Sequence, residues 1–353
     1  MKILLFEYFT ASNTNNPSII SEAKSMIGSI LKDLNGLKKH FEIYLLLFKE
    51  FVSLFDEYDN VNIIVINDDL KEWLKENASK FNQAMFIAAE ADNILYDLTK
   101  EIENQGVKIL GPDSKSVLKC SNKYETYKSV EDIVKQAKTI EIAINNNWQI
   151  AIEKILYFFN ESKHEKLIIK PLYGVDCQDI IIISNEKEIY DLKKLYAPQS
   201  NLLIQEFIEG HSVSISLISD GKQSLPISLN KQIIAIENNE LKYLGGETPF
   251  NHALKEKAFH VAKISTESIK GIKGFVGVDL ILDEINNEVY FLEINSRFTT
   301  SYVGLSKISN IKIAKVIVEL LNKQIRLNSL NFEYNEKVKF IKKGKILEIE
   351  LFK

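Results

Sequence analysis

The sequence predicts an α/β domain with a parallel sheet, followed by α+β units built from antiparallel hairpins. Short apolar runs alternate with amphipathic helical patterns up to residue 113, which is typical of a parallel sheet covered on both faces. Gly111-Pro112-Asp113 then interrupts this alternation, as turn-forming residues do at a domain boundary. Beyond that point, helical stretches lead into paired apolar runs separated by turn residues, which is the pattern of antiparallel hairpins.

Five apolar runs predict the strands of the first part: Ile3–Tyr8, Glu42–Phe48, Asn62–Ile66, Ala84–Ala89 and Val107–Leu110. Three helical patterns lie between them: Ser18–Lys32, Asp69–Lys80 and Asp92–Asn104. Asp69 and Asp92 are placed to accept hydrogen bonds from the first turns of their helices, and Gly106 is placed to end the third helix.

In the second part we expect three helices: Ser116–Lys128, Val130–Asn145 and Gln149–Glu161. The expected strands are Leu167–Lys170, Ile180–Ser184, Leu202–Ile208, His211–Ser219, Ser224–Leu229, Phe275–Leu282 and Val289–Asn295. Lys337–Phe352 is expected to form a hairpin that turns at Lys343-Gly344. These patterns divide the chain into residues 1–113, 114–204, 205–330 and 331–353.

Composition excludes several classes of protein. The formal charge of −4 provides no positive field to attract nucleic acid, and no apolar run approaches the roughly 20 residues of a membrane helix. The two cysteines, Cys120 and Cys177, form no Cys-x-x-Cys motif, which argues against a disulfide scaffold or a structural zinc site. We therefore expect a cytoplasmic protein that binds neither nucleic acid nor membrane, and the composition leaves its oligomeric state open.

The strongest chemical signal is the run that ends in Glu293-Ile-Asn295-Ser-Arg297. Alternate side chains of a strand share a face, so these three polar side chains project together. The preceding turn centres near residue 286, so antiparallel pairing places Asp279 opposite Glu293. The oxygen atoms of Asp279, Glu293 and Asn295 suit a hard cation such as Mg²⁺. Arg297 would lie beside them, able to bind phosphate through two parallel hydrogen bonds.

The alternative interpretation is a solvated hairpin with scattered polar residues. Apolar neighbours such as Phe275 and Phe291 instead indicate an interior sheet, where carboxylates need partners. The chain contains only one arginine besides Arg297, namely Arg326, and uses lysine elsewhere. This bias suggests that the position needs the planar guanidinium group.

Glu293–Arg297, preceded by Gly277–Leu280, resembles the metal-binding end of the ATP-grasp superfamily. The resemblance implies a parallel-sheet N-terminal domain followed by a two-subdomain ATP-grasp fold. It also implies that ATP and Mg²⁺ or Mn²⁺, as two ions, are the cofactors. Two lysines match the family's phosphate-binding positions: Lys123 at the start of the nucleotide domain, and Lys170 at the end of a strand before a loop.

The segment Leu203–Gly210 resembles the part of the family that binds adenine. The resemblance implies adenine contacts by the side chain of Gln205 or Glu206 and by the main chain of Phe207 and Ile208. Ser212 stands where the family often has a ribose-binding glutamate, which makes Glu209 the alternative ribose ligand. Gly174 is the single glycine of the loop 171–179, whereas the family's loop carries several that let the backbone close over phosphate.

The resemblance implies a ligase that phosphorylates a carboxylate and lets an amine attack the acyl phosphate, releasing ADP and phosphate. Lys170 and Arg297 would be its catalytic residues, and its substrates would be small molecules, an amino acid carboxylate and an amine. No Ser/His or Cys/His arrangement indicates a protein nucleophile. The alternatives are an ATP-grasp enzyme with carboxyphosphate chemistry, a ligase for another acid and amine pair, and a nucleotide-binding regulator without turnover.

Two further segments, Leu5–Thr10 and Tyr243–Pro249, are similar to a branch of archaeal ligases in methanofuran biosynthesis. These ligases couple tyramine to the γ-carboxylate of glutamate. The similarity implies substrate contacts by Glu7, Glu247 and Thr248. A plain hairpin turn at Gly245-Gly246-Glu247 is the alternative for the second segment.

Overall fold

The computed structural model describes residues 1–14, 16–37, 40–58, 61–162, 164–174, 177–344 and 346–352. Its first part contains five strands: β1 (Lys2–Glu7), β2 (Glu42–Phe48), β3 (Asn62–Ile66), β4 (Gln83–Ile87) and β5 (Lys108–Ile109). Three α-helices connect them: α1 (Pro17–Leu34), α2 (Leu70–Asn77) and α3 (Ile94–Asn104). The strands form a parallel sheet in the order β3-β2-β1-β4-β5, which confirms the predicted α/β architecture.

The helix ends in this part are partly as expected. The Asp69 carboxylate accepts from the backbone N–H groups of Lys71 and Glu72, so it caps α2 as predicted. The same prediction for Asp92 is wrong, because Asp92 and Asn93 both have positive φ and turn the chain before α3 begins. Gly106, with φ of 74°, follows the end of α3 as expected.

The described residues of the second part form these α-helices: α4 (Ser114–Ser121), α5 (Lys123–Ser129), α6 (Trp148–Glu161), α7 (Glu186–Asp191), α8 (Lys255–Ser268), α9 (Ser301–Ile308) and α10 (Ile313–Leu321). Its strands are β6 (Thr139–Ala143), β7 (Leu167–Pro171), β8 (Ile181–Ile183), β9 (Asn201–Glu206), β10 (His211–Ser219), β11 (Ser224–Glu237), β12 (Glu240–Thr248), β13 (Gly274–Asp283), β14 (Glu288–Asn295), β15 (Lys337–Lys343) and β16 (Ile346–Phe352).

These strands form one sheet in the order β14-β13-β10-β11-β12-β8-β7-β9-β6, with neighbouring strands antiparallel. The sheet branches at β12, which also pairs with β15 of the terminal hairpin. A single residue pair, Glu240 with Ile181, joins β12 to β8. The sheet therefore has two halves that meet at a narrow junction.

Three expectations for this part need correction. Residues 130–145 do not form a helix, because the alternating, β-branched run Thr139–Ala143 pairs with β9 instead. Residues 116–128 form two helices rather than one, because Asn122 leaves helical geometry and its side chain caps α5. Strand β11 extends well beyond Leu229 and pairs with β12, a strand that the sequence patterns did not predict.

Both faces of the parallel sheet are covered by apolar packing. One face packs against α2 and α3, and the other against α1, α9 and α10. The antiparallel sheet packs against α8 in one half and against α6 and α7 in the other. In the part of the chain that the structure describes, no helix is long and apolar enough to cross a membrane.

Candidate active site

A cavity of about 340 Å³ lies between the two halves of the antiparallel sheet, and most of the predicted site residues line it. Twelve of them are in its wall: Lys123, Lys170, Gly174, Gln205, Glu206, Phe207, Ile208, Ser212, Asp279, Glu293, Asn295 and Arg297. Residues far apart in sequence thus meet as the sequence analysis expected.

The acidic side chains come from the β13–β14 hairpin. Asp279 faces Glu293 across the pair, as the turn position predicted, and a bulge follows at Asp279/Leu280. The amide of Asn295 donates to Asp279 Oδ2 at 3.0 Å, and the amide of Gln232 on β11 donates to Asp279 Oδ1 at 3.2 Å. Three oxygen-bearing side chains therefore converge on one side of the hairpin.

Two lysines approach this acidic group, of which Lys170 is buried and Lys123 is partly buried. Lys123 begins α5, and its Nζ lies 2.5 Å from Glu293 Oε2. The side-chain oxygen of Asn122 accepts from the N–H groups of Tyr124 and Glu125 and so fixes the start of the helix. Lys170 lies near the end of β7, where its Nζ donates to Gln205 Oε1 at 3.1 Å.

The charges in the cavity perturb one another. Burial, reinforced by the facing carboxylate of Glu293, raises the pKa of Asp279 to about 7. Burial also opposes ionisation of Glu293, but Lys123 and Lys170 outweigh it and lower the pKa of Glu293. Burial lowers the pKa of Lys170 to about 8. A divalent cation would favour the ionised form of both carboxylates, and the three oxygen donors fit one.

The segment that follows β9 forms the opposite wall. The Gln205 amide donates to Thr139 Oγ1 at 2.8 Å, which orients its oxygen toward Lys170. The N–H of Phe207 already donates to the carbonyl of Lys166 at 3.1 Å. Of the two main-chain N–H groups at Phe207 and Ile208, the first is therefore already used inside the protein.

Four predicted residues lie outside the cavity wall. Glu209 is exposed, whereas Ser212 lines the cavity. Glu7 is buried at the end of β1, where its carboxylate accepts from the N–H of Thr10 at 2.9 Å. Glu247 lies on β12, 4.0 Å from Lys337. Thr248 is fully buried and donates to Asn230 Oδ1. The structure thus does not place Glu7, Glu247 or Thr248 where a ligand in the cavity would touch them.

The structure also reveals site residues that the sequence analysis missed. Gln232 holds Asp279, and Thr299, Thr300 and Ser301 line the cavity beyond Arg297. Glu90, which follows β4, accepts from the backbone N–H of Ser296 at 2.8 Å. The available signal for Glu90 was its position after a buried strand, at the carboxyl edge of the parallel sheet.

A second group of potential metal ligands lies outside this cavity. One nitrogen each of His211 and His252 and an oxygen of Glu284 lie within 4.8 Å of one another. Nδ1 of His252 accepts from the N–H of Leu254, so the ring proton is on Nε2, which donates to Glu284 at 2.7 Å. Because a metal-binding nitrogen must have lost its proton, this arrangement favours a hydrogen-bonded cluster over a metal site.

Comparisons with known proteins agree with this geometry. A family model described as "ATP-grasp domain" matches residues 120–301. The tyramine–L-glutamate ligase of Methanocaldococcus fervens is 34% identical over 339 residues, which cover 95% of this chain and 98% of that protein. The tyramine–L-glutamate ligase of Methanocaldococcus jannaschii is 32% identical over 354 residues, with 99% and 94% covered.

Solved structures share the fold. The biotin carboxylase domain of 2-oxoglutarate carboxylase from Hydrogenobacter thermophilus, solved with MgADP, ADP and bicarbonate, matches with a TM-score of 0.71. The match covers 96% of this chain and 74% of that chain at 15% identity, so it supports the fold alone. The family match spans more than half of the sequence, and the two ligases match nearly all of it. The chain therefore belongs to the ATP-grasp family and is a ligase.

Proposed function

We propose that this ligase joins tyramine to the γ-carboxylate of L-glutamate while converting ATP to ADP and phosphate. Two relatives named tyramine–L-glutamate ligase match nearly the whole chain. The observation that carries the proposal is that the cations Lys123, Lys170 and Arg297 line one cavity with the acidic hairpin. Such a site can hold a triphosphate beside a carboxylate and needs no protein nucleophile.

In this proposal the nucleotide lies between the segments 114–204 and 205–330. Lys123 and Lys170 bind the phosphates through charge-assisted hydrogen bonds. Adenine lies against Gln205–Ile208, with the N–H of Ile208 as main-chain donor. Ser212 is the ribose ligand in preference to Glu209, because Ser212 lines the cavity and Glu209 does not.

Asp279, Glu293 and Asn295 would hold Mg²⁺ or Mn²⁺, and we propose two such ions at this site. Bound cations would neutralise charge on the β- and γ-phosphates during transfer. Lys123 now pairs with Glu293, and the same ammonium group can turn to a phosphate once Glu293 has another cationic partner. The donor set, two carboxylates and one amide, suits a hard ion rather than zinc.

The chemistry then has two steps. A γ-carboxylate oxygen of glutamate attacks the γ-phosphorus of ATP, the bond to ADP breaks, and an acyl phosphate forms. The neutral amine of tyramine attacks the acyl carbon, the C–O bond to phosphate breaks, and the proton that the nitrogen loses passes to the departing phosphate. The Arg297 guanidinium stabilises the carboxylate and phosphoryl oxygens, while the cavity orients the reactants and limits access by water.

ADP release is the direct test, measured with a panel of amino acids crossed with a panel of amines in the presence of Mg²⁺ or Mn²⁺. We expect the highest rate for glutamate with tyramine, and loss of ADP formation in Glu293→Gln, which keeps the shape of the side chain. With ¹⁸O in the γ-carboxylate, label should appear in inorganic phosphate. AMP as the product, unlabelled phosphate, or a different preferred pair would contradict the proposal.

A further inference from the structure

A buried carboxylate from the parallel-sheet part of the chain reaches the segment that carries Arg297. Glu90 follows β4, and its side chain is only 8% exposed. Its Oε1 accepts from the backbone N–H of Ser296 at 2.8 Å and from the Ser296 hydroxyl at 3.0 Å. Its Oε2 lies 3.7 Å from Nε of Arg297. Both oxygens of one side chain thus face residues 296 and 297.

The guanidinium of Arg297 has an unfilled hydrogen-bonding position on this side. Its Nε–H is buried and donates to no acceptor among the described residues, while one terminal nitrogen donates to the Phe298 carbonyl at 3.3 Å. A buried donor without an acceptor is costly. A shift of about 1 Å toward Glu90 would bring Nε to normal hydrogen-bond distance. Glu90 is therefore the group that can complete the orientation of Arg297.

We propose that Glu90 is a positioning residue for the ligase reaction, which holds the backbone at Ser296 and fixes the guanidinium of Arg297 in the cavity. Arg297 lines the cavity and Glu90 does not, so Glu90 acts through Arg297 without touching the substrate. The inference rests on the proposed role of Arg297 in carboxylate phosphorylation. If Glu90 has this role, the position of Arg297 depends on how the parallel sheet packs against the segment that follows β14.

The sequence offers a direct spectroscopic test, because the chain contains only two arginines. Labelling with ¹⁵N-arginine gives two Nε–H resonances, and Arg326→Lys identifies the one from Arg297. We expect Glu90→Gln to move the Arg297 resonance and speed its exchange with solvent, while the Arg326 resonance stays in place. This measurement requires no turnover.

Glu103 provides a matched control. Its two oxygens accept from the N–H and the hydroxyl of Ser114, as Glu90 accepts from Ser296, and no hydrogen bond or ion pair among the described residues joins Glu103 to Arg297. Glu103→Gln should leave both arginine resonances and kcat unchanged. If the two glutamine variants affect the Arg297 resonance equally, Glu90 has only a structural role.

Kinetics provide the second measurement. Glu90→Gln should lower kcat by about 10-fold or more, because small misplacement of a catalytic group can cost up to about 10²-fold. The KM for ATP should stay within about twofold. In the Arg297→Lys background, Glu90→Gln should lower kcat by less than about twofold further, because both substitutions disrupt the same interaction. Full additivity, or an unmoved Arg297 resonance, would overturn the inference.

These outcomes are separable from the proposed substrates. If the parent chain fails to couple tyramine to glutamate, the substrate assignment is wrong. Glu90→Gln and Glu103→Gln are then compared by the Arg297 resonance and by the rate of ADP release with the acid substrate that the parent chain does accept.

Discussion

Two lysines of one short segment show how strand position decides the role of a residue. Lys170 is buried at the end of β7 and bonded to Gln205, while Lys166, just before the strand, lies over the Phe207 ring at 5.5 Å. Both carry the same charge, but only Lys170 lines the cavity. The position of each lysine relative to the strand therefore distinguishes the one that lines the cavity from the one that lies outside it.

Substitution of these lysines tests that distinction. Lys170→Ala should weaken ATP binding by roughly 10- to 100-fold, because a hydrogen bond to a charged group contributes about 1.5–3 kcal/mol. Lys166→Ala should change it by less than about twofold. Nucleotide titration by calorimetry measures both. Equal losses in the two variants would show that the phosphate lysine is misassigned.

Local rules explain which site residues could be predicted from sequence. Asp279, Glu293 and Asn295 depend only on alternation and on the position of one turn, and the structure shows them together. Gln232 and Glu90 reach the site from elements far away in sequence. Their roles depend on tertiary packing, which local patterns do not encode, and the same holds for the unforeseen burial of Thr248.

At the scale of elements, the sequence predicted strands better than helices in the second part. Residues 130–145 combine a polar, helix-like first half with the β-branched Thr139–Ala143, and pairing with β9 decides in favour of a strand. Strand β12 was not predicted, because the pair Gly245-Gly246 is typical of a turn. Gly245, with φ of 143°, instead lets the chain approach the backbone of Phe340 on β15 closely.

One buried polar contact ties three helices together. The hydroxyl of Tyr302 on α9 donates to Asp33 Oδ2 on α1 at 2.8 Å, and the same oxygen accepts from the N–H of Ala314 on α10 at 3.1 Å. Burial raises the pKa of Asp33, so this carboxylate depends on its donors. The contact fixes how α1 packs against the helices that follow the acidic hairpin.

Loss of that hydroxyl should destabilise the fold. Tyr302→Phe should lower the free energy of unfolding by about 1–3 kcal/mol, since a buried acceptor loses a donor. Ser306→Ala, on the same helix, removes a partly buried hydroxyl that donates to the Val303 carbonyl of its own helix, and it should cost less than about 1 kcal/mol. Urea denaturation measures both variants. A Tyr302→Phe effect no larger than that of Ser306→Ala would contradict the role assigned to this contact.

At the scale of the whole molecule, one buried carboxyl should make stability depend on pH. Burial raises the pKa of Glu7 to about 7. The folded chain then holds this proton more tightly than the unfolded chain. The contribution of Glu7 to the free energy of unfolding therefore falls as pH rises from about 4.5 to about 7, by on the order of 3 kcal/mol.

Comparison with Glu7→Gln isolates this contribution from that of other carboxylates. The stability of the variant relative to the parent should increase with pH across that range. Glu141→Gln, on the exposed side of β6, should show a constant difference from the parent. Chemical denaturation at several pH values measures the slopes, and parallel curves for Glu7→Gln and the parent would contradict the prediction.

The position of α1 has a consequence for the time at which the chain can fold. Its apolar face packs against α9 and α10, and the Ser21 hydroxyl accepts from the N–H of Leu347 in the last strand. At synthesis rates of roughly 5–20 residues per second, the partners of α1 emerge many seconds after α1 itself. Until α9 and α10 have been synthesised, only α1 covers this face of the parallel sheet, so part of its apolar surface is open to chaperones and proteases.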